Sequence, residues 1–514
     1  MHTLPPPRTP TTQHRTPFPR LLALAALLLT GLSARAAAPE KPNILLIMID
    51  TLRADHVSCY GYPKPTTPNL DRLASEGVRF DTVYTAAPWT MPSTMSFLSS
   101  LYPTVHGATS YERRASLRVP TLAKRLKRLG YARTAAFTSN PTVNARFGFA
   151  NGFDLYDDYT IALTYELGLF DADPAARAKS LVDSVTAPAV TRAADEWLTK
   201  NGRAQAPWFL FLLYFDPHFA YVPPPPWHRK FDPHPDAPSR KRPISPFDLL
   251  KKDSTPDDLE HVVALYDGEV GHTDACIGRL VDRLDALGLR DDTLVVVISD
   301  HGEEFLDHGN ILHGNTLHGE LTRAILIFRQ PGSKLPAGRI VTAPATHIDL
   351  VPTLLDYIGA PPDPECQGKT RLPALLAASP PPAPPSGTVP PGPTSPTRPT
   401  GPTPALALDK EEPFFLEGTT PRESFRAVIL GPWKLIRDLE SASEQLYHLP
   451  SDAAERKNLA AQHPDLCARL RTLLYAHVAD CARLAKLYQP AGEAARPTLS
   501  PKDLQALKAL GYIR

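Results

Sequence analysis

The sequence predicts an α/β protein: a mostly parallel sheet sandwiched by helices, with a smaller C-terminal α+β subdomain. Three observations carry this. Apolar runs with the length of strands buried on both faces recur at Asn43–Ile49, Trp208–Phe215 and Thr293–Ser299. Stretches with helical spacing fall between them, the pattern of parallel strands joined by crossovers. Beyond residue 411, four short strand-like pieces precede one long amphipathic stretch.

Residues 1–38 read as a cleaved secretory signal peptide. Arg8, Arg15 and Arg20 precede the apolar run Leu21–Leu32, and Ser33–Ala38 offers small residues at A-x-A spacing. The run is too short to span a bilayer. Cleavage near 36–38 predicts a secreted or periplasmic protein without a stable membrane span; the alternative is an uncleaved anchor.

The main α/β domain is expected over 39–375. Its first strand, Asn43–Ile49, ends in Asp50, at the carboxyl end where open α/β sheets place ligands. Pro92 suits a first helical position, and Met95, Leu98 and Leu101 share a face, so a helix is predicted from Pro92. The Thr90 hydroxyl then lies just outside a helix N-terminus, beside a place suited to phosphate or sulfate. Read alone, the segment is first a Ser/Thr-rich helix with ordinary caps. Thr121–Leu129 is helical in spacing, with Gly130 as its stop before a strand at Tyr131–Phe137.

Trp208–Phe215 is a third strand, running into Asp216-Pro217-His218. Glu260–Leu287 forms a long amphipathic helix closed by Gly288. Thr293–Ser299 ends at Asp300-His301, Ala324–Phe328 is a fifth strand and Ile348–Ile358 a closing helix. The segment 376–411 is Pro-rich and reads as a linker, because it cannot bury enough apolar surface to fold. The subdomain at 412–514 then holds strands at Phe414–Leu416, Arg426–Leu430, Trp433–Ile436 and Gln445–Leu449, and a helix over His463–Leu487.

The 514 residues include 55 basic and 54 acidic side chains, a net charge of +1. Nothing in that balance points to nucleic acid or an anionic membrane. A small-molecule or glycan substrate is expected instead. The cysteines, 5 in number and widely scattered, have no metal-cluster spacing.

Asp50, Asp216 with His218, and Asp300 with His301 each stand at a strand end, so a parallel sheet brings them to one edge. Asp300–His318 also contains His301, His308, His313 and His318, dense for a chain with 17 histidines in all. The cluster marks a metal or acid/base site. Asp50, Asp300 and His301 suit one divalent metal ion, with Ca²⁺, Mg²⁺, Mn²⁺ and Zn²⁺ all open.

The chain resembles the sulfatase family of the alkaline phosphatase superfamily. The resemblance rests on Asn43–Tyr62, Thr67–Leu73, Ala87–Gly107, Tyr214–His218, Tyr266–Asp274, Ser299–Glu320, Asp349–Leu355, Trp433–Ile436, Glu444–Leu449, Glu455–Leu459 and Leu507–Ile513, in the family order. It implies an alkaline-phosphatase-like fold and metal ligands at Asp50, Thr90, Asp300 and His301. It implies a nucleophile at Thr90, catalytic and substrate-contacting roles for His218 and His313, and substrate contacts from Ser93 and Thr94. The His301 variant is similar to the phosphonate monoester hydrolase branch. Where the family carries C/S-x-P-x-R, this chain has Thr90-Met91-Pro92-Ser93-Thr94, and Thr51 replaces a usual aspartate. Threonine cannot become formylglycine, although some superfamily phosphodiesterases and phospho-group transferases use it unmodified. The expectation is a secreted, metal-dependent, sulfatase-like hydrolase of sulfate or phosphate/phosphonate esters. An inactive fold that binds sulfated or phosphorylated glycans and a phospho-group transferase remain open.

Overall fold

The computed structural model describes residues 41–158, 186–378, 411–419 and 424–489. The signal-peptide region, nearly all of the Pro-rich segment and the Leu507–Ile513 motif lie outside them. The first strand, β1 (Asn43–Ile49), pairs in parallel with two strands far along the chain. The elements that build the main sheet and its layers include α1 (Pro68–Ser75), β2 (Val78–Phe80), α2 (Thr90–Ser99), α3 (Leu122–Arg128), β3 (Arg133–Thr138) and β4 (Leu155–Asp157). There follow α4 (Ala187–Asn201), β5 (Trp208–Tyr214), α5 (Pro256–Ala286), β6 (Thr293–Ser299), β7 (Leu326–Arg329), β8 (Arg339–Val341) and α6 (Leu350–Tyr357).

These strands make an 8-stranded sheet in the order β8-β2-β7-β6-β1-β5-β3-β4. Its central members β6, β1, β5 and β3 are parallel. The fifth predicted strand departs from expectation: β7 runs antiparallel to both β6 and β2, and Ile325 separates it from a short piece at Arg323–Ala324. An apolar run reports burial on both faces but carries no information on strand direction.

Alternation along β1 divides the core. Ile44, Leu46 and Met48 pack with Met91, Met95 and Leu98 of α2, Leu122 and Leu126 of α3, and Leu350 and Leu354 of α6. Leu45, Ile47 and Ile49 face the opposite layer: Leu73 of α1, Val190 and Leu198 of α4, and Ile277, Leu280 and Leu284 of α5. Each such side chain contributes about 1.5–3 kcal/mol on burial, so an acid at Ile47 would break the sheet–α5 contact.

Register positions the site. Ile49 pairs with Tyr214 of β5 and Ser299 of β6, while Leu213 of β5 pairs with Thr138 of β3. The residues that follow, Asp50, Phe215, Asp300 and Ser139-Asn140, therefore emerge together at the carboxyl edge. Long α5 starts at a capping box in which Thr255 and Asp258 satisfy each other's backbone N–H groups.

Beyond the Pro-rich segment, β9 (Pro413–Glu417), β10 (Phe425–Leu430), β11 (Trp433–Asp438) and β12 (Glu444–His448) form an antiparallel sheet in sequence order. One face packs on α7 (Pro464–Tyr488), where Val428, Leu430 and Leu435 meet Leu470 and Leu474. The other, through Leu416, Ala427 and Ile429, meets Tyr84 and Leu317 of the main domain. All 5 cysteines are free thiols. Among the described residues no helix is long and apolar enough to cross a membrane.

Candidate active site

Helix α2 begins at Thr90, two residues earlier than the spacing predicts. Proline fits throughout the first turn, where no intrahelical partner awaits its missing N–H, so Pro92 does not mark the start. Thr90 is thereby fixed on the helix rather than ahead of it. Its Oγ1 lies 3.2 Å from Asp50 Oδ1 and 3.2 Å from His301 Nε2. Asp50, Thr90, Asp300 and His301 are all fully buried.

The ligand atoms of Asp50, Asp300 and His301 lie within 4.8 Å of one another. Asp300 Oδ1 accepts from the backbone N–H groups of Thr51 at 3.1 Å and His301 at 2.8 Å. Its other oxygen, Oδ2, is buried without a hydrogen-bond partner among the described residues and lies 3.3 Å from His301 Nε2. His301 Nδ1 is 2.8 Å from the carbonyl of Gly302. A carbonyl only accepts, so Nδ1 carries the hydrogen and the neutral ring turns its Nε2 lone pair inward.

Burial, reinforced by Asp300, holds the Asp50 carboxyl well above the usual range, against the pull of hydrogen bonds from Asn140 and Thr90. Burial pushes Asp300 up to about 7 and holds His301 well below the ordinary imidazole value, with help from His313. Two crowded carboxylates, an orphaned carboxylate oxygen and an inward lone pair make a donor set that fits one divalent cation.

Three imidazoles line this space. The ring of His313 is 4.6 Å from that of His301 and 5.0 Å from that of His218, centroid to centroid. His218 stacks on Phe215 at 4.4 Å, its Nδ1 is 2.8 Å from the Phe219 carbonyl, and burial holds its pKa well below the ordinary value. His313 Nδ1 is 2.9 Å from Glu303 Oε1.

The other predicted site residues fall elsewhere. The Ser93 hydroxyl donates to the Asp300 carbonyl at 2.7 Å and lies 3.0 Å from His347 Nδ1. That of Thr94 points at the Met48 sulfur, 3.5 Å away. Both hydroxyls are thus engaged inside the protein. The Asp216 carboxylate does not join the site: it accepts from Thr186 and from the Ala187 N–H at 2.7 Å, capping α4.

The four-histidine window also divides. The rings of His308 and His318 stack at 3.6 Å and 7°, with His308 paired to Glu320 at 2.7 Å and His318 Nε2 facing the Tyr447 hydroxyl. Lone pairs lie in ring planes, so two parallel stacked rings do not converge on one ion. Spacing alone misses Asn140, whose side-chain amide donates to Asp50 Oδ2. The signal for it is the same as for Asp50, a polar residue just past a strand's carboxyl end.

The Sulfatase family model matches residues 42–360. The multifunctional alkaline phosphatase superfamily protein PehA of Trinickia caryophylli is 28% identical over 408 residues, covering 66% of this chain and 78% of its own. An arylsulfatase of Clostridium perfringens is 24% identical over 367 residues, covering 62% and 75%. The phosphonate monoester hydrolase of Agrobacterium radiobacter superposes with a TM-score of 0.66 at 21% identity, over 86% of this chain and 96% of that one. That last likeness is one of fold.

Proposed function

We propose, from the premise that this chain belongs to the sulfatase family, that it is a secreted, metal-dependent hydrolase of sulfate or phosphate/phosphonate esters with Thr90 as nucleophile. The observation that carries the reading is the Thr90 hydroxyl, 3.2 Å from both Asp50 Oδ1 and His301 Nε2. The relatives, an alkaline phosphatase superfamily protein and an arylsulfatase, support the ester class. Secretion rests on the basic, apolar and small-residue order of residues 1–38.

Asp50, Thr90, Asp300 and His301 are the residues that would hold a divalent ion. Such an ion supplies Lewis-acid polarisation of an ester oxygen and lowers the pKa of a neighbouring hydroxyl. Thr90 gives its proton to the Asp50 carboxylate, whose Oδ1 its hydroxyl already faces at 3.2 Å. The Thr90 oxygen bonds to sulfur or phosphorus as the bond to the leaving oxygen breaks, and His313, with the His218 ring beside it, protonates that oxygen. Water then cleaves the Thr90 ester, releasing the acid and restoring the hydroxyl.

Purified protein should turn over members of an aryl sulfate and aryl phosphodiester panel when divalent ions are added. Thr90→Ala should abolish that turnover. Unchanged turnover in the variant would sink the mechanism.

A further inference from the structure

We infer that Glu303 is a positioning residue which, held by Tyr221, orients His313 as the group that protonates the leaving oxygen; this rests on the hydrolase reading above. The three imidazoles differ in what stands behind them. Nδ1 of His301 and of His218 each meets a backbone carbonyl, Gly302 and Phe219 respectively, at 2.8 Å. Nδ1 of His313 instead meets the fully buried Glu303 carboxylate at 2.9 Å.

A carboxylate behind an imidazole fixes tautomer and ring orientation and stabilises the protonated ring, which a neutral carbonyl does far less well. Glu303 is itself held. The Tyr221 hydroxyl donates to its Oε2 at 2.7 Å, and Arg53 donates to its backbone carbonyl at 3.0 Å. Neither oxygen can swing without breaking a bond, so His313 keeps Nε2 as its second hydrogen-bonding atom. All three rings are largely buried, the His313 side chain at 7% exposure against 0% for His301, so His313 lies nearest the side where a departing alcohol would leave. In the reaction Nε2–H passes its proton to the oxygen released from sulfur or phosphorus, and the ring regains one from the water of the second half-reaction.

The test is a series of aryl esters of one class, differing only in the acidity of the departing phenol. Wild-type turnover of the nitrophenyl member tests the hydrolase reading alone, and its absence overturns both. With that turnover present, Glu303→Gln, which keeps an acceptor but removes the charge, should lower kcat about 10–100-fold for the least acidic phenol and under about 3-fold for nitrophenol, with KM little moved. Tyr221→Phe should show the same trend, weaker. In a His313→Asn background Glu303→Gln should add nothing. A loss equal across all leaving groups, no loss, or full additivity with His313→Asn would each overturn the inference while leaving the hydrolase reading intact.

Discussion

The hydroxyl of Thr90 lies 3.2 Å from Oδ1 of Asp50, although 40 residues separate the two in the chain. The pair joins the first turn of α2 to the carboxyl end of β1. If the oxygen at this point is the nucleophile, Thr90→Ser keeps the chemistry and Thr90→Val, of the same shape, loses it. Steady-state kinetics should place Thr90→Ser within about 100-fold of wild type and Thr90→Val at least about 10³-fold below. Activity kept in Thr90→Val and lost in Thr90→Ser would mean that the methyl, not the oxygen, matters.

The buried carboxylates make the metal-free protein sensitive to pH in a defined direction. Asp300 is pushed up to about 7 and Asp50 well above its ordinary range, both chiefly by burial. The folded chain keeps protons there that the unfolded chain releases above about pH 4. Stability therefore falls as pH rises from about 4 toward 7. His301, held neutral by burial, acts oppositely, costing stability as pH falls below about 6.5. A cation binds the charged carboxylates, so its effect on Tm should grow with pH. At 100 times its Kd it should add about 2.7 kcal/mol. Thermal melts with chelator and with each divalent ion check this; Asp300→Asn should abolish the gain.

By its resemblance to the family, Thr94 is expected where an arginine is usual, and among the described residues its hydroxyl meets the Met48 sulfur at 3.5 Å. Thr94→Val preserves shape and removes that weak bond. We expect kcat and KM within about 3-fold of wild type and a stability change below about 1 kcal/mol. A large rise in KM would instead give Thr94 a direct part in substrate binding.

Lys434 on β11 pairs with Glu455 at 2.9 Å, and the two side chains are 1% and 3% exposed. Removing one partner strands a buried charge, so Lys434→Met should cost about 3–5 kcal/mol in chemical denaturation. The double variant Lys434→Met/Glu455→Gln should recover most of that. Loss in the double variant equal to that in the single would contradict the pairing argument.

Much of the fold is written plainly in the chain. The apolar runs at Asn43–Ile49 and Thr293–Ser299 carry strands over those same residues, because seven-residue runs flanked by polar groups have few alternatives. The edge that gathers Asp50, Asp300 and His301 follows from parallel order. The direction of β7 was not legible, since burial on two faces reads the same either way. The density of histidines marks the region of the site but not how its members divide. Gly309, at φ 85, lies in the hairpin that turns the chain between His308 and His313, and linear spacing does not record such a reversal. Asp216 shows a third limit: a strand-end acid can serve a helix N-terminus as readily as a substrate.

The central claim is that Thr90 becomes esterified during turnover. Rapid quench of the enzyme with an ester that carries a fast leaving group and leaves a slowly hydrolysed adduct, followed by peptide mass spectrometry, tests it most directly. One sulfuryl, phosphoryl or phosphonyl group is expected on the peptide holding Thr90, and it should be lost in Thr90→Val. An adduct on another residue, or active enzyme with no adduct under conditions where release is rate-limiting, would contradict it.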